Sequence, residues 1–216
     1  MGVEQLPVVI PVRLEREAGS RDDHPMRKVT REVAFDPAAW TPERRAEVAA
    51  IFDSEASNWH TREVPGRYDA LNDALDRGGV PTDGPALELG SGTGLSTALL
   101  RERFPRLLAG DLAVEMLRLA PPDAAPRLQC DSTRLPFADG TLQVVLAINM
   151  LLFPDEVARV IASDGVLVWV NTSGPQTPIF LPAEDVDEVM GDGWHVTASE
   201  AGTGTWAVAR RASAGA

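Results

Sequence analysis

From Pro85 onward the chain alternates short apolar runs with stretches of helical periodicity, and this alternation constrains its fold more than any other feature. The runs are ALEL (86–89), RLLAG (106–110), PRLQC (126–130), LQVVLAI (142–148), GVLVWVN (165–171), WHVTASE (194–200) and TWAVARR (205–211). Helical patterns fall near 94–104, 113–120, 154–162 and 182–190. A strand followed by a helix and then another strand of the same sheet returns parallel. Only AGTG separates the last two runs, too little for a helix, so those two strands form an antiparallel hairpin. The expectation is an α/β fold: a doubly wound, seven-stranded sheet with helices on both faces and its last two strands antiparallel.

Ahead of this core, residues 1–35 are expected to be an extension. LPVVIPVRL and RKVTREVAF partly alternate apolar and polar residues and read as a hairpin or two edge strands, joined by the turn-forming EREAGSRDDHPM. Residues 36–84 read as a helical cap. Thr41-Pro42-Glu43 is a helix start, with a hydroxyl cap, a proline in the first turn and an acid beside the helix dipole. Val48, Phe52, Ala56 and Trp59 then recur on one face. Val64, Tyr68, Leu71 and Leu75 make a second helical pattern. Residues 85–216 form the core of what is expected to be one globular domain.

The formal net charge is −12. That argues against nucleic acid or an anionic membrane as partner, since both recruit basic surfaces. One cysteine, Cys130, leaves no disulfide framework and no Cys-rich metal site, and His24, His60 and His195 lack metal-ligand spacing. No apolar run is long enough to span a bilayer, and the chain does not begin like a secretory signal. A cytoplasmic protein is expected.

Between ALEL and the next helical stretch lies GSGTGL, with glycines at 90, 92 and 94. A loop at the carboxyl end of a parallel strand is where open α/β sheets bind ligands, and glycine lets a ligand approach the backbone closely. A dinucleotide fingerprint would need a small residue where Leu95 stands, and a P-loop would need a lysine. Further polar residues end the following strands: Asp111, Asp131 with Ser132, and Asn149. Each alone could be a cap or a turn residue. Together they fall on the same edge of the sheet as the glycine loop.

LELGSGTG, LLAGDLAVEMLRLA and CDSTRLPFADGTLQVVLAINML, in that order and spacing, resemble the motifs of class I S-adenosylmethionine-dependent methyltransferases, in the branch acting on quinones and natural products. The resemblance covers roughly residues 85–172 and implies a Rossmann-like fold that binds S-adenosylmethionine. It also implies roles at the matching positions. Glu88 and the backbone of Gly90, Ser91, Gly92 and Gly94 would face the methionine portion. Asp111 would bind the ribose hydroxyls and Leu112 would pack on the adenine. Asp131, with Ser132 beside it, would accept from the adenine amino group, and Asn149 would lie between cofactor and substrate. This sequence departs from the pattern at Leu142, where the family carries an aromatic, and at Gln143, where it carries Asp. FPDEVARVIASDG is also shorter than the usual helix and Pro-Gly-Gly turn.

The implied activity is methyl transfer to a small organic acceptor. Alternatives are a non-catalytic or regulatory S-adenosylmethionine-binding protein and a protein or RNA methyltransferase. The cap supplies His60 as a candidate general base, Arg67 or Arg62 as a partner for the cofactor carboxylate, and Trp59 and Tyr68 as walls or core. NTSGPQTPIFLP (171–182) reads as an ordered loop at the substrate mouth. The extension at 1–35 could serve as a lid or as the arm of a homodimer.

Overall fold

The computed structural model describes residues 2–13 and 24–212. Its core is one mixed sheet. The strands are β1 (Glu4–Gln5), β2 (Ala86–Leu89), β3 (Leu107–Asp111), β4 (Arg127–Gln129), β5 (Leu142–Ile148), β6 (Ile161–Asn171), β7 (Trp194–Ala201) and β8 (Gly204–Arg211). They lie in the order β1-β7-β8-β6-β5-β2-β3-β4. The helices are α1 (Pro25–Phe35), α2 (Pro42–Glu55), α3 (Asp69–Arg77), α4 (Thr97–Arg103), α5 (Val114–Leu119), α6 (Pro154–Val160) and α7 (Ala183–Met190).

The alternation along each strand sorts the core onto the two faces of the sheet. On one face, Val145 and Ala147 of β5, Leu167 and Trp169 of β6, and Ala207 and Ala209 of β8 pack in a single cluster with Val157 of α6 and Val186 of α7. On the other, Val144 and Leu146, Val166 and Val168, and Trp206 and Val208 pack with Leu71 of α3 and Leu100 of α4. The last two strands form the expected hairpin. Only β8, wedged between β6 and β7, runs against the rest of the sheet.

The sheet has eight strands rather than seven, because Glu4–Gln5 adds a short parallel edge beside Thr197 and Ala198. Pro7 and Pro11 lack the N–H groups needed to extend that ladder. The N-terminal hairpin does not form. RKVTREVAF lies inside α1, whose first residue is Pro25 and whose N-cap is His24, with Nδ1 accepting the Met26 N–H at 3.1 Å. The partial alternation misleads there. Met26, Thr30, Val33 and Ala34, at helical spacing, are the buried residues. The turn expected between the two segments falls largely on residues 14–23, outside those described.

The cap follows the sequence more closely. Thr41 Oγ1 accepts the Arg44 N–H at 3.2 Å and starts α2. The helix passes into a 3-10 segment, Ala56–Arg62, that carries Trp59. The second helical pattern begins later than expected, at Asp69. Pro65 disfavours helix at Val64, and Gly66 at φ +79° breaks the backbone direction. Among the described residues no helix is long and apolar enough to cross a membrane.

Candidate active site

Strand β2 has β3 on one side and β5 on the other, so the chain reverses its direction of travel across the sheet here. Such a switch point opens a crevice outside the carboxyl ends of the strands. The glycine loop leaves β2 into that crevice. Gly90 sits at φ +70° and Gly92 at φ +56°, in the left-handed region that favours glycine. A Cβ on Gly90 would lie 2.6 Å from Met150 Sδ, and one on Gly92 would lie 3.2 Å from Trp59 Nε1. The loop thus presents bare backbone beneath the cap.

Two carboxylates shape this loop from within. The Gly92 N–H donates to Asp111 Oδ2 and the Ala113 N–H to Asp111 Oδ1, both at 2.8 Å. Burial raises the Asp111 carboxyl and these backbone donors oppose the rise. A carboxylate offers about four acceptor positions, so Asp111 retains capacity toward the cavity that it lines. Glu88 is turned away. It is fully buried and accepts from Ser96 Oγ at 2.5 Å and Thr97 Oγ1 at 2.6 Å. It therefore pins the start of α4 to β2 instead of facing a ligand.

Burial pushes the Glu88 carboxyl up to about 7, against the two hydroxyl donors and with a smaller push from Asp111. A folded-state value above the unfolded 4.5 means that the folded protein holds the proton more tightly across that interval. The associated stability is therefore full below the unfolded value and is lost as pH rises toward 7, by about 3 kcal/mol. Glu88→Gln is expected to remove this slope. Urea denaturation of both proteins at pH 5 and pH 7.5 checks it, and parallel pH dependence would contradict the assignment.

The cavity floor comes from the sheet: Gly90, Ser91, Gly92, Asp111, Leu112 and Ser132, with Asn149 at the end of β5. The roof comes from the cap: Trp40, Val48, Phe52, Trp59, Arg67 and Tyr68. Ser91 Oγ is a buried polar atom with no hydrogen-bond partner among the described residues, an arrangement that a polar ligand resolves. Asn149 takes φ +51°, the one described non-glycine residue with positive φ. Its amide is held at both ends, Nδ2 donating to Thr172 Oγ1 and Oδ1 accepting from the Thr172 N–H, each at 2.9 Å. Strain fixed in this way is concentrated at functional sites.

Asp131 is engaged by the cap. Trp40 Nε1 donates to its two oxygens at 3.2 and 3.3 Å, and Arg45 reaches Oδ2 at 3.3 Å. Burial would raise its carboxyl, but Thr133, Arg45 and Trp40 outweigh that and hold it below its ordinary value. Among the expected site residues, Glu88, Gly94 and Asp131 do not line the cavity. Nor does His60, which is exposed on the 3-10 segment. A general base needs reach to the reacting atoms, so His60 is dropped as a catalytic candidate. Trp40 and Met150, two large side chains immediately beside motif residues, also line the cavity without having stood out by pattern. Their position next to Thr41 and Asn149 was the available signal.

A second pocket adjoins the first. The two share Phe52, Trp59, Arg67, Asn149 and Ile179. Its own walls are His24, Met26, Glu55 and Arg62 from the N-terminal side, and Thr172, Gln176 and Thr177 from the segment after β6. This is the expected ordered loop, tied down by Asn171 Nδ2 donating to Ile179 O at 2.8 Å.

Part of the chain is similar to known proteins. Residues 87–168 match the family described as "Methyltransferase domain". The chain is 31% identical over 145 residues to the ubiquinone/menaquinone biosynthesis C-methyltransferase UbiE of Desulfotalea psychrophila, covering 55% of this chain and 59% of that protein. It is 34% identical over 167 residues to the malonyl-(acyl-carrier protein) O-methyltransferase of Laribacter hongkongensis, covering 67% of this chain and 50% of that one. The chain thus spans between half and two thirds of the length of these relatives. Among solved structures, the DhpI–SAH complex superposes with TM-score 0.62 at 23% identity, over 76% of this chain and 95% of that one. A SAM-dependent methyltransferase from Aquifex aeolicus gives 0.59 at 19% identity, over 71% and 96%. Residues 87–168 thus match a methyltransferase-domain family, and the chain shares the fold of S-adenosylmethionine-dependent methyltransferases.

Proposed function

We propose that this protein binds S-adenosylmethionine in the cavity over the glycine loop and transfers its methyl group to a small organic acceptor in the adjoining pocket. The observation that carries the reading is the meeting of the two cavities at Asn149, Trp59 and Arg67. One cavity has a bare-backbone floor and a Ser91 oxygen unpartnered among the described residues, which suit a polar ligand. The other is open to a second molecule.

When bound, S-adenosylmethionine supplies an electrophilic methyl group on a sulfonium and departs as a neutral thioether. The chain's own work is holding, aligning and drying the site. Asp111 accepts from ribose hydroxyls with the positions left free by Gly92 and Ala113. Leu112 and Ser132 flank the adenine. The Arg67 guanidinium, which has no ion-pair partner among the described residues, takes the carboxylate of the methionine end. Phe52 and Trp59, packed edge to face at 5.7 Å, close the roof and exclude water. Holding the acceptor in line with the methyl group removes the entropic cost of their encounter, and a closed site keeps water from competing as the nucleophile. The −12 net charge supports a small acceptor over RNA or DNA.

Calorimetric titration with S-adenosylmethionine and S-adenosylhomocysteine, with NAD as control, tests the reading. Binding of the first two and not NAD is expected, and failure of both would reject it. Asp111→Asn, which keeps only one acceptor oxygen, is expected to weaken S-adenosylmethionine binding by about 1–3 kcal/mol. Unchanged affinity in the folded variant would remove Asp111 from the ribose.

A further inference from the structure

Asp131 is the strand-end carboxylate that the motif resemblance places on the adenine, yet its acceptor capacity is taken up within the protein. Thr133 donates to Oδ1 from its N–H at 2.9 Å and from its hydroxyl at 2.8 Å. From the cap, Trp40 Nε1 donates to both oxygens, at 3.2 and 3.3 Å, and Arg45 Nη1 donates to Oδ2 at 3.3 Å. Four donors therefore meet the about four acceptor positions of a carboxylate. The two sets of bonds differ. Those from Thr133 are local and short, so they keep Asp131 in place whatever the cap does. Those from the cap lie at the long end of the N–H···O range. The Arg45 side chain is 48% exposed, so water and salt reach its pair with Asp131.

Neither Arg45 nor Asp131 lines either cavity. Their contact fastens the edge of the roof to the end of β4 without touching a ligand held between roof and floor. We propose that Asp131 is a clasp: with Trp40 and Arg45 it holds the cap down on the strand ends, and its release gates passage of the cofactor in both directions. The inference rests on the proposed cofactor site. A clasp stabilises the closed cap equally with and without ligand beneath it. Weakening it makes the cap open more often, so entry and exit quicken by one common factor and the equilibrium affinity stays the same. A carboxylate that touched the adenine would behave otherwise, since its loss would weaken affinity through faster dissociation alone. A cap that competed with the ligand would give a third pattern, tighter affinity through faster association alone.

Stopped-flow mixing with S-adenosylhomocysteine separates these patterns. Trp40 and Trp59 line the cavity, so intrinsic fluorescence reports its occupation. The dependence of the observed rate on concentration gives kon as slope and koff as intercept, and calorimetry gives Kd independently. Asp131→Asn is expected to raise kon and koff together by about tenfold, and Arg45→Met by a few-fold, with Kd unchanged. Trp40, whose ring meets Phe153 edge to face at 5.1 Å, is left intact and continues to anchor the cap. Salt supplies a second readout. S-adenosylhomocysteine carries no net charge near neutral pH, so its own encounter with the protein responds little to ionic strength. Raising salt from about 20 to about 500 mM is expected to quicken both rates in the parent protein and to have little effect in Arg45→Met. Circular dichroism reports that each variant is folded. Unchanged rates, a weaker Kd with unchanged kon, a tighter Kd with unchanged koff, or parent rates that ignore salt would each overturn the clasp. Failure of the parent protein to bind S-adenosylhomocysteine would instead reject the cofactor site, and the inference with it.

Discussion

Gly92→Val is expected to abolish measurable binding of S-adenosylmethionine while leaving the protein folded. Three effects act at this position. The backbone takes φ +56°, which a β-branched residue adopts at a cost of about 1–2 kcal/mol. The added Cβ meets Trp59 Nε1 at 3.2 Å, so the indole has to shift by a few tenths of an ångström. The side chain also fills the space in which a ligand approaches the loop. The Gly92 N–H, which donates to Asp111, shifts with the strained backbone and disturbs the proposed ribose site as well. The combined loss is expected to exceed about a hundredfold in affinity, equivalent to about 3 kcal/mol. Circular dichroism establishes that the variant is folded, and calorimetry reads the affinity. Affinity within a few-fold of the parent protein would show that the ligand does not lie on this loop.

The largest loss of stability is expected at a residue far from chemistry. Asp73 on α3 is 3% exposed and accepts three hydrogen bonds, from Arg77 Nε at 2.7 Å, Arg77 Nη2 at 2.6 Å and Trp206 Nε1 at 2.7 Å. Arg77 continues to Pro7 O at 3.0 Å and Ser199 Oγ at 3.2 Å. One carboxylate therefore joins α3, β7, β8 and the N-terminal segment. Asp73→Ala leaves the indole N–H buried without a partner and the guanidinium uncompensated. A loss of about 3 kcal/mol is expected in urea denaturation, held to the lower end of the range for broken buried pairs because Arg77 keeps some access to water. A loss under about 1 kcal/mol would show that the contacts are redundant. Burial alone would raise the Asp73 carboxyl, but Arg77 and Trp206 hold it below its ordinary 3.8. The stability it confers is therefore present above that value and is lost as pH falls through the lower folded value.

How far the site could be read in advance depended on the kind of residue. Gly90, Gly92, Asp111 and Asn149 were legible because strand-end polar residues and glycines announce themselves by position within a periodic pattern. Their places follow from local chain geometry. Glu88 was legible as a position but not as a role. Two hydroxyls nine and eight residues downstream, Thr97 and Ser96, claim its oxygens, and that depends on how α4 folds back. His60 shows the opposite error. Its chemistry suited catalysis, but a 3-10 segment turns it to solvent and brings Trp59, its neighbour, over the loop.

By itself, the sequence determined the parallel core, the closing hairpin, the glycine loop and the row of polar strand ends, since each depends on periodicity and turn chemistry over a few residues. Only the tertiary structure decided the fate of residues 24–35, where the apolar positions of RKVTREVAF fit a strand partly and a helix better. A histidine cap, Pro25 and burial against Val48 and Phe153 resolved that ambiguity. The tertiary structure also decided which carboxylates face the cavity and which are spent on the protein. That choice rests on hydrogen-bond partners from distant segments, such as Trp40 and Arg45 on Asp131, which no local pattern encodes.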